Sequence, residues 1–393
     1  MYDVIVIGAG PSGLMAAIEA SKKARVLLIE KNETLGKKLL ITGNGRCNVT
    51  NFKNNNLFLE TVGYNKKYLY SAINKFGPSE IIAFFAAHGV PLKEEEDNKM
   101  FPKTDEAKDI LNALIKNMPK VTIKYGETVT DIMSGIIKKV ITSKGAYTAA
   151  NVIIAVGGAS YPETGSAGDN LKFAKMLKQP VVDIFPAETS VEAEIDISLA
   201  GTSFLKATVK FNNKEFTDAL IFTHKGLSGP VIMQASEHIH KEKVKEIHLD
   251  MMPAYQTDDF VNALNNFDRE KELSSFFSYF FTKKLSNHLV QMLNLNKKIK
   301  SLTKSEITSF INFLKNYPVK IKKVSNIASA FVTGGGIDMN YIDSTRMESK
   351  INQGIYFVGE ALDIHGPIGG YNITLALATG YLAGSSINGK TKA

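Results

Sequence analysis

The chain has 393 residues, 44% hydrophobic and 22% charged, with 47 basic against 39 acidic side chains and a net charge of +8. That exceeds one typical domain, and the composition is that of an ordinary globular protein, so two or three domains with a sizeable core are expected. One cysteine, Cys47, excludes an intrachain disulfide, a catalytic dithiol and a cysteine-built metal site. The lysines are scattered singly or in pairs, which argues for a solvated surface over a nucleic-acid groove, although anionic ligands are still attracted. No apolar run approaches the length of a membrane span and no secretory signal pattern is present, so a cytoplasmic protein is expected.

In chain order, Asp3 to Ile7 is a short apolar run of the kind that forms a buried parallel strand. Gly8-Ala9-Gly10-Pro11-Ser12-Gly13 follows, then Leu14 to Ser21 at helical spacing, then a second apolar run from Arg25 to Ile29 that ends in Glu30. This is a complete βαβ unit within about 30 residues. Gly8 permits the tight turn, Gly10 lets backbone approach a pyrophosphate, and Gly13 lets the helix pack on the sheet with its N-terminus toward the phosphates. Glu30 stands where a carboxylate accepts from the hydroxyls of an adenosine ribose, which suits FAD or NAD and disfavours a 2′-phosphate.

The polar segment Leu35 to Asn51 comes next, with Lys38, Thr42, Arg46 and Asn48 as donors and Gly43 and Gly45 allowing close approach. It reads as a loop running along the cofactor toward its reactive ring, with Cys47 as a small buried packing residue. Helices are expected over Tyr68–Phe76, Pro78–His88 and Ala107–Met118, and the acidic run Leu92–Asp97 between them reads as a solvated turn. From Val121 the period changes to short strands, the last two being Ala146–Ala149 and Asn151–Val156, which leads into Gly157-Gly158 and suits closure of a dinucleotide site.

From Phe185-Pro186 the character shifts again. Residues 190–250 alternate like an antiparallel sheet, 256–316 read as helices rich in Phe, Leu and Lys, and strand character resumes at Val319. Residues 187 to about 325 are therefore an insertion. Within it, Phe222 to Pro230 forms a polar glycine turn whose His224 is either a base or substrate ligand, or a satisfied structural donor. Ala328 to Ile337 reads as a strand and glycine turn returning to the first domain. Finally Ile355 to Val358 is a buried strand that stops at Gly359-Glu360. A turn through Gly369-Gly370 then opens a small-residue helix from about Ile373 to Gly384, an arrangement suited to a polyhydroxyl chain and the edge of a planar ring.

Gly8 to Gly13, Thr42 to Asn48, Thr223 to Pro230, Val332 to Gly336 and Gly359-Glu360 with Gly369 to Asn372 occur in the order of the BaiN-like, or aminoacetone-oxidase-like, flavoproteins, which the whole chain resembles. The resemblance implies an α/β fold: a Rossmann-like FAD-binding domain of glutathione-reductase type (1–186 and 326–393), a β-barrel-like insert (187–255 and 317–325) and a helical subdomain (256–316) covering the flavin. It implies non-covalent FAD on Gly8, Gly10, Pro11, Ser12 and Gly13, with Glu30 and Lys31 at the ribose and the Val129 backbone at the adenine. Lys38, Thr42, Gly43, Arg46, Cys47 and Asn48 would follow the cofactor, with Ala155, Gly157 and Gly158 closing the site. Gly359 and Glu360 would take the ribityl chain. Gly369, Gly370, Tyr371, Asn372 and Ile373 would lie at the pyrimidine side of the ring, the helix N-terminus stabilising negative charge there. Where such relatives have a second acid after Asp363, this chain has His365.

The function implied is an FAD-dependent oxidoreductase moving a hydride between flavin and a small organic substrate of amine, ketone or enone class. The other redox partner is O2 or NAD(P)H, the latter a transient co-substrate because Gly157-Gly158 opens no second βαβ unit. His224, Arg46 and His365 are the candidate polar groups around the substrate. Alternatives are a flavin-dependent RNA-modifying protein and an FAD-binding sensor without turnover; a metal site, membrane association and disulfide-reductase chemistry are not expected, and the oligomeric state stays open.

Overall fold

The computed structural model describes residues 1–387. It divides into two compact units, Met1–Phe185 with the chain from Ile327 onward, and Pro186–Asn326.

The first unit is built on a parallel sheet. Strand β1 (Tyr2–Ile7), helix α1 (Pro11–Ser21) and strand β2 (Val26–Ile29) form the opening βαβ unit. Strand β3 (Gly145–Ile154) lies on the other side of β1, β4 (Ile355–Phe357) lies beyond β3, and Thr122–Lys124 extends the sheet past β2, all in parallel. β1 and β2 are continuous apolar runs because both faces of this sheet are covered. The register aligns the strand ends: Ile7 lies opposite both Ile29 and Ile154, and Ile154 lies opposite Phe357. Four strands thus end level with one another, and Gly8, Glu30, Ala155 and Gly359 emerge along one edge, where open α/β sheets bind ligands.

The final helix, α2 (Tyr371–Ser386), packs on α1, so the two ends of the chain meet. The helices approach backbone to backbone: a Cβ at Gly380 would lie 2.2 Å from the Ser12 carbonyl oxygen, and one at Gly384 would lie 2.4 Å from that of Ala16. α2 is buried on nearly every face, which accounts for its small apolar residues and weak amphipathicity.

Four local expectations are corrected. Ala146–Ala149 and Asn151–Val156 are one strand, β3, which pairs antiparallel with Lys138–Thr142 and then parallel with β1; no turn residue interrupts it. The acidic run is a hairpin strand, Leu92–Glu95, paired with Lys99–Pro102, and the turn falls at Asp97 and Asn98, both left-handed. The segment after Leu35 is a short helix, Lys37–Ile41, followed by a tight turn with Gly43 and Asn44 left-handed. Gly334 to Gly336 lie inside a strand, Val332–Ile337, rather than in a turn. They admit close packing: a Cβ at Gly334 would meet the Phe185 ring at 2.2 Å.

The second unit is a closed antiparallel barrel of Val191–Ala193, Gly226–Ser228, Lys214–Phe222, Ser203–Phe211, Glu246–Asp250 and Tyr317–Val324. Five helices, Pro230–Lys241, Thr257–Asn265, Leu273–Phe280, Lys283–Leu293 and Lys304–Lys315, share its apolar core among the described residues. His288 joins helix to barrel, 3.3 Å from Asp196 Oδ2 through Nδ1 and 3.1 Å from the Tyr317 hydroxyl through Nε2.

Close approach at Gly380 makes a specific demand. Gly380→Ala should destabilise the protein by about 1–3 kcal/mol, because its methyl must displace backbone rather than a flexible side chain. Chemical denaturation monitored by circular dichroism checks this; an unchanged midpoint would show that the helices separate freely.

Candidate functional site

The level strand ends open a long cleft in the first unit. At one end stands the turn from β1 to α1. Gly8 has φ +95°, and a Cβ there would come within 2.5 Å of the Ala155 carbonyl oxygen, while one at Gly13 would lie 1.9 Å from the Gly8 carbonyl oxygen. These two glycines are required by packing. Gly10 differs: a Cβ there would meet nothing within 4 Å, so its bareness keeps the cleft open beside the uncapped N-terminus of α1. Gly10, Pro11 and Ser12 all line that space.

Glu30 is buried and held in place. Its Oε2 accepts from Ala9 N (2.8 Å), and its Oε1 from Asn32 N (2.9 Å) and Asn32 Nδ2 (2.8 Å). Beside it Lys31 pairs with Asp169 at 2.7 Å, and Val129 lines the same end. Gly157 has φ +74° and faces the Ser166 hydroxyl, a buried group in the cleft wall with no hydrogen-bond partner among the described residues.

Further along, three distant segments converge on Glu360. Its Oε1 accepts from Thr333 N (2.8 Å) and the Ser160 hydroxyl (3.2 Å), and its Oε2 from Lys38 Nζ (2.7 Å), which also donates to Ser160 Oγ (2.6 Å). Burial pushes the Glu360 carboxyl up, but Lys38, Thr333 and Ser160 together hold it below the usual carboxylate range. Gly158 belongs to this cluster through packing, since a Cβ there would meet Thr333 Oγ1 at 2.4 Å.

The turn before α2 is fixed from several sides. Asn372 accepts from Gly366 N (2.9 Å) and donates to the Gly366 carbonyl (2.7 Å). Asn51 donates to the Gly369 carbonyl (3.2 Å), and Lys53 donates to the Tyr371 hydroxyl (2.7 Å). Asn48, oriented by its neighbours, donates to Thr50 O at 3.0 Å and accepts from Gly370 N at 3.3 Å. A Cβ at Gly370 would strike the Thr50 carbonyl at 2.5 Å, so this glycine admits the neighbouring strand. Asn372 and Ile373 face the cleft, whereas Gly369, Gly370 and Tyr371 lie behind it.

Of the predicted residues, Lys38, Thr42, Ala155, Gly157, Gly359 and Glu360 also line the cleft. Gly43, Arg46, Cys47 and Asn48 do not. Arg46 is corrected: its guanidinium is taken up by Glu95 and Asp105, with Cζ 4.2 Å from the centroid of Phe101, so it anchors the turn to the Leu92–Pro102 hairpin. Attraction to Lys93 and Arg46 holds Asp105 below its usual range. Cys47 is fully buried, and burial pushes its thiol up to about 12. His365 is buried against Tyr64 (ring centroids 4.9 Å) and Phe185 (5.7 Å), behind Ile364, which faces the cleft. His224 belongs to the second unit, where it is exposed in the turn after Phe222. Sequence reasoning missed Ser160, Ser166, Asp169, Phe331 and Thr333. Thr333 lies inside the Val332–Gly336 motif, which was read only for its glycines, and the other four carry no motif of their own. Among the described residues no cluster of metal-ligating side chains occurs, and no helix is long and apolar enough to cross a membrane.

A family model described as the HI0933-like protein Rossmann domain matches residues 2–386, so the chain belongs to that family. An Escherichia coli protein named ribosomal RNA dihydrouridine synthase is 28% identical, covering 97% of this chain and 96% of the other. A Clostridium scindens protein named 3-dehydro-bile acid delta(4,6)-reductase is 29% identical over 98% of both. The solved structure of a 3-ketosteroid-delta4-(5alpha)-dehydrogenase from Rhodococcus jostii RHA1 aligns with a TM-score of 0.53 at 16% identity, over 98% of this chain and 96% of that one. The resemblance read from the motifs is borne out, and the fold is the Rossmann-type FAD-binding fold of flavoprotein oxidoreductases with a small closed barrel.

Two outcomes are expected from the geometry. The native protein should not react with a disulfide thiol reagent at pH 8, and should take up one equivalent after denaturation; rapid native labelling would contradict the burial of Cys47. Glu360 has a lowered pKa, so the stability it contributes is present above the ordinary carboxylate range and is lost as pH falls through the lowered value. Lys38→Met removes the main attraction and leaves burial to raise that carboxyl, so the acid limb of the melting-temperature profile should move to higher pH. Superimposable profiles would sink the assignment.

Proposed function

We propose that the chain is an FAD-dependent oxidoreductase that adds or removes hydrogen across a carbon–carbon double bond conjugated to a carbonyl, with NAD(P)H or O2 as the other redox partner. The observation that carries the cofactor part is the cleft itself: an open space at Gly10 beside a helix N-terminus, a fixed buried carboxylate at Glu30, an orphaned Ser166 hydroxyl and a second carboxylate at Glu360. These fit FAD. Gly10 to Ser12 would hold the pyrophosphate, Glu30 and Lys31 the adenosine ribose, Val129 the adenine, Glu360 the ribityl chain, and Asn372 and Ile373 the ring edge at the N-terminus of α2. Bound FAD supplies two-electron hydride transfer at its N5.

The substrate class rests on what the two full-length relatives are named for. A dihydrouridine synthase and a delta(4,6)-reductase of a 3-dehydro bile acid both add hydrogen to a C=C bond conjugated with a carbonyl. Reduction then balances as one hydride to the carbon β to the carbonyl and one proton to the α carbon; dehydrogenation is the reverse. The chain's own part is to hold the ring and to keep water from its edge. A second reading, the same chemistry on a uridine within an RNA, is favoured by the net charge of +8 and the name of the Escherichia coli relative.

Anaerobic stopped-flow provides the test. The purified yellow protein is reduced with NADH or NADPH and then mixed with 4-androstene-3,17-dione, with a uridine-containing RNA, with simple ketones or with buffer. Flavin reoxidation with stoichiometric loss of the conjugated double bond is expected for an enone or the RNA. Reduction without reoxidation by any conjugated carbonyl would leave an FAD-binding sensor. Absence of RNA retention at low salt would remove the second reading.

A further inference from the structure

We propose that Phe331 is the specificity-determining contact of this site, a platform for the flat face of a carbonyl-conjugated ring, and that Tyr161 is the residue that positions it. The inference rests on the cofactor and substrate class given above and deepens them.

Phe331 departs from its surroundings. Ala330 and Val332 on either side are 0% and 4% exposed, yet the Phe331 ring is 47% exposed and lines the cleft together with Val332 and Glu360. A large apolar side chain left half in solvent beside a ligand cleft, between two buried neighbours, is placed to meet a ligand rather than to fill a core. Its ring is met by Tyr161 at 6.2 Å between centroids and 63° between planes, an edge-to-face arrangement within the favourable range.

Tyr161 is held there against its own backbone preference. Its φ of 55° and ψ of 60° lie in the left-handed region, which is costly for a bulky residue. The conformation is over-determined. Tyr161 N donates to the Ala328 carbonyl (3.1 Å), and the Tyr161 carbonyl accepts from Thr164 N (2.9 Å) and Thr164 Oγ1 (2.7 Å). Burial, with Glu163 nearby, holds its phenol above the usual range, so the ring behind Phe331 stays uncharged.

The pair is also registered to the cofactor carboxylate. Ser160, immediately before Tyr161, and Thr333, two residues after Phe331, are the neutral donors to Glu360 Oε1. Neither ring can shift along its chain without disturbing the group proposed to hold the ribityl hydroxyls. This arrangement sets the depth at which a flat ring meets the platform. The shared chemistry, a planar ring with a conjugated carbonyl, can come from a steroid enone or from a pyrimidine.

The test uses the FAD-loaded protein and two probes, 4-androstene-3,17-dione and uridine, with binding read from perturbation of the flavin absorption spectrum and turnover from double-bond reduction. Phe331→Ala should weaken binding of whichever probe the wild type binds by about tenfold. Phe331→Tyr, which keeps the ring, should stay within about twofold. The FAD dissociation constant of the apoprotein should be unchanged in both, and the loss in turnover should appear in KM rather than kcat. Tyr161→Gly suits the left-handed backbone but removes the supporting ring; it should keep the melting temperature while weakening the probe about threefold. Equal probe affinity in Phe331→Ala and wild type would overturn the platform. Equal affinity in Tyr161→Gly would overturn the positioning role. Failure of the wild type to bind or reduce either probe would overturn the substrate class on which both rest. A fall in FAD affinity in Phe331→Ala would reassign the ring to the cofactor.

Discussion

The first unit depends on one carboxylate. Glu360 accepts hydrogen bonds from Lys38, Ser160 and Thr333, side chains and backbone that, with Glu360 itself, come from four separate stretches of the chain. An ionised carboxylate offers about four acceptor positions. With Thr333 N and the Ser160 hydroxyl on one oxygen and Lys38 on the other, one position is left for a ligand hydroxyl. In the function proposed above, the cluster would serve as a structural knot and as a ribityl contact without breaking one role to perform the other. Removing Lys38 strands a charge that burial already disfavours, and such losses are of order 1–3 kcal/mol.

The knot is effective because the backbone around it is brought close by glycine. Gly158 lies against Thr333, Gly13 against Gly8, and Gly380 against Ser12, each at a separation no β-carbon would tolerate. Gly10 belongs to another class, since nothing among the described residues occupies the space its side chain would fill. The two kinds of glycine look identical in the sequence. Only the structure separates the glycines that let protein approach protein from Gly10, which stands in the cleft wall with open space before it.

Much of the architecture was legible because its signals were local. A continuous apolar strand, a glycine turn, a helix and an acid identify the opening βαβ unit, and Gly359-Glu360 with Gly369-Gly370 identify its counterpart. What was not legible were pairings across long separations. Arg46 looked like a donor aimed at a ligand because its partners, Glu95 and Asp105, are distant in sequence and sit in or beside a run that reads as a solvated turn. The glycines of Val332–Ile337 read as a turn because the groups that require them, the Phe185 ring at Gly334, the Asp183 carbonyl at Gly335 and the Ala361 carbonyl at Gly336, lie elsewhere in the sequence. Asn48 reads from its motif as a donor to the cofactor, whereas it supports Gly370 from behind.

The same distinction explains why the cofactor is easier to infer than the substrate. A dinucleotide is gripped by backbone, by helix ends and by carboxylates, all of which demand particular residue types at particular spacings. The substrate side makes no such demand. Phe331 and Tyr161 have only to present flat apolar surface at a given depth, and many residues at many positions could do that in a related chain. Two proteins of this family can thus share the whole cofactor apparatus and differ in what they reduce. The informative positions are then the ones the motifs pass over: a half-exposed ring beside a strand of glycines, and a tyrosine held in a backbone conformation it would not choose.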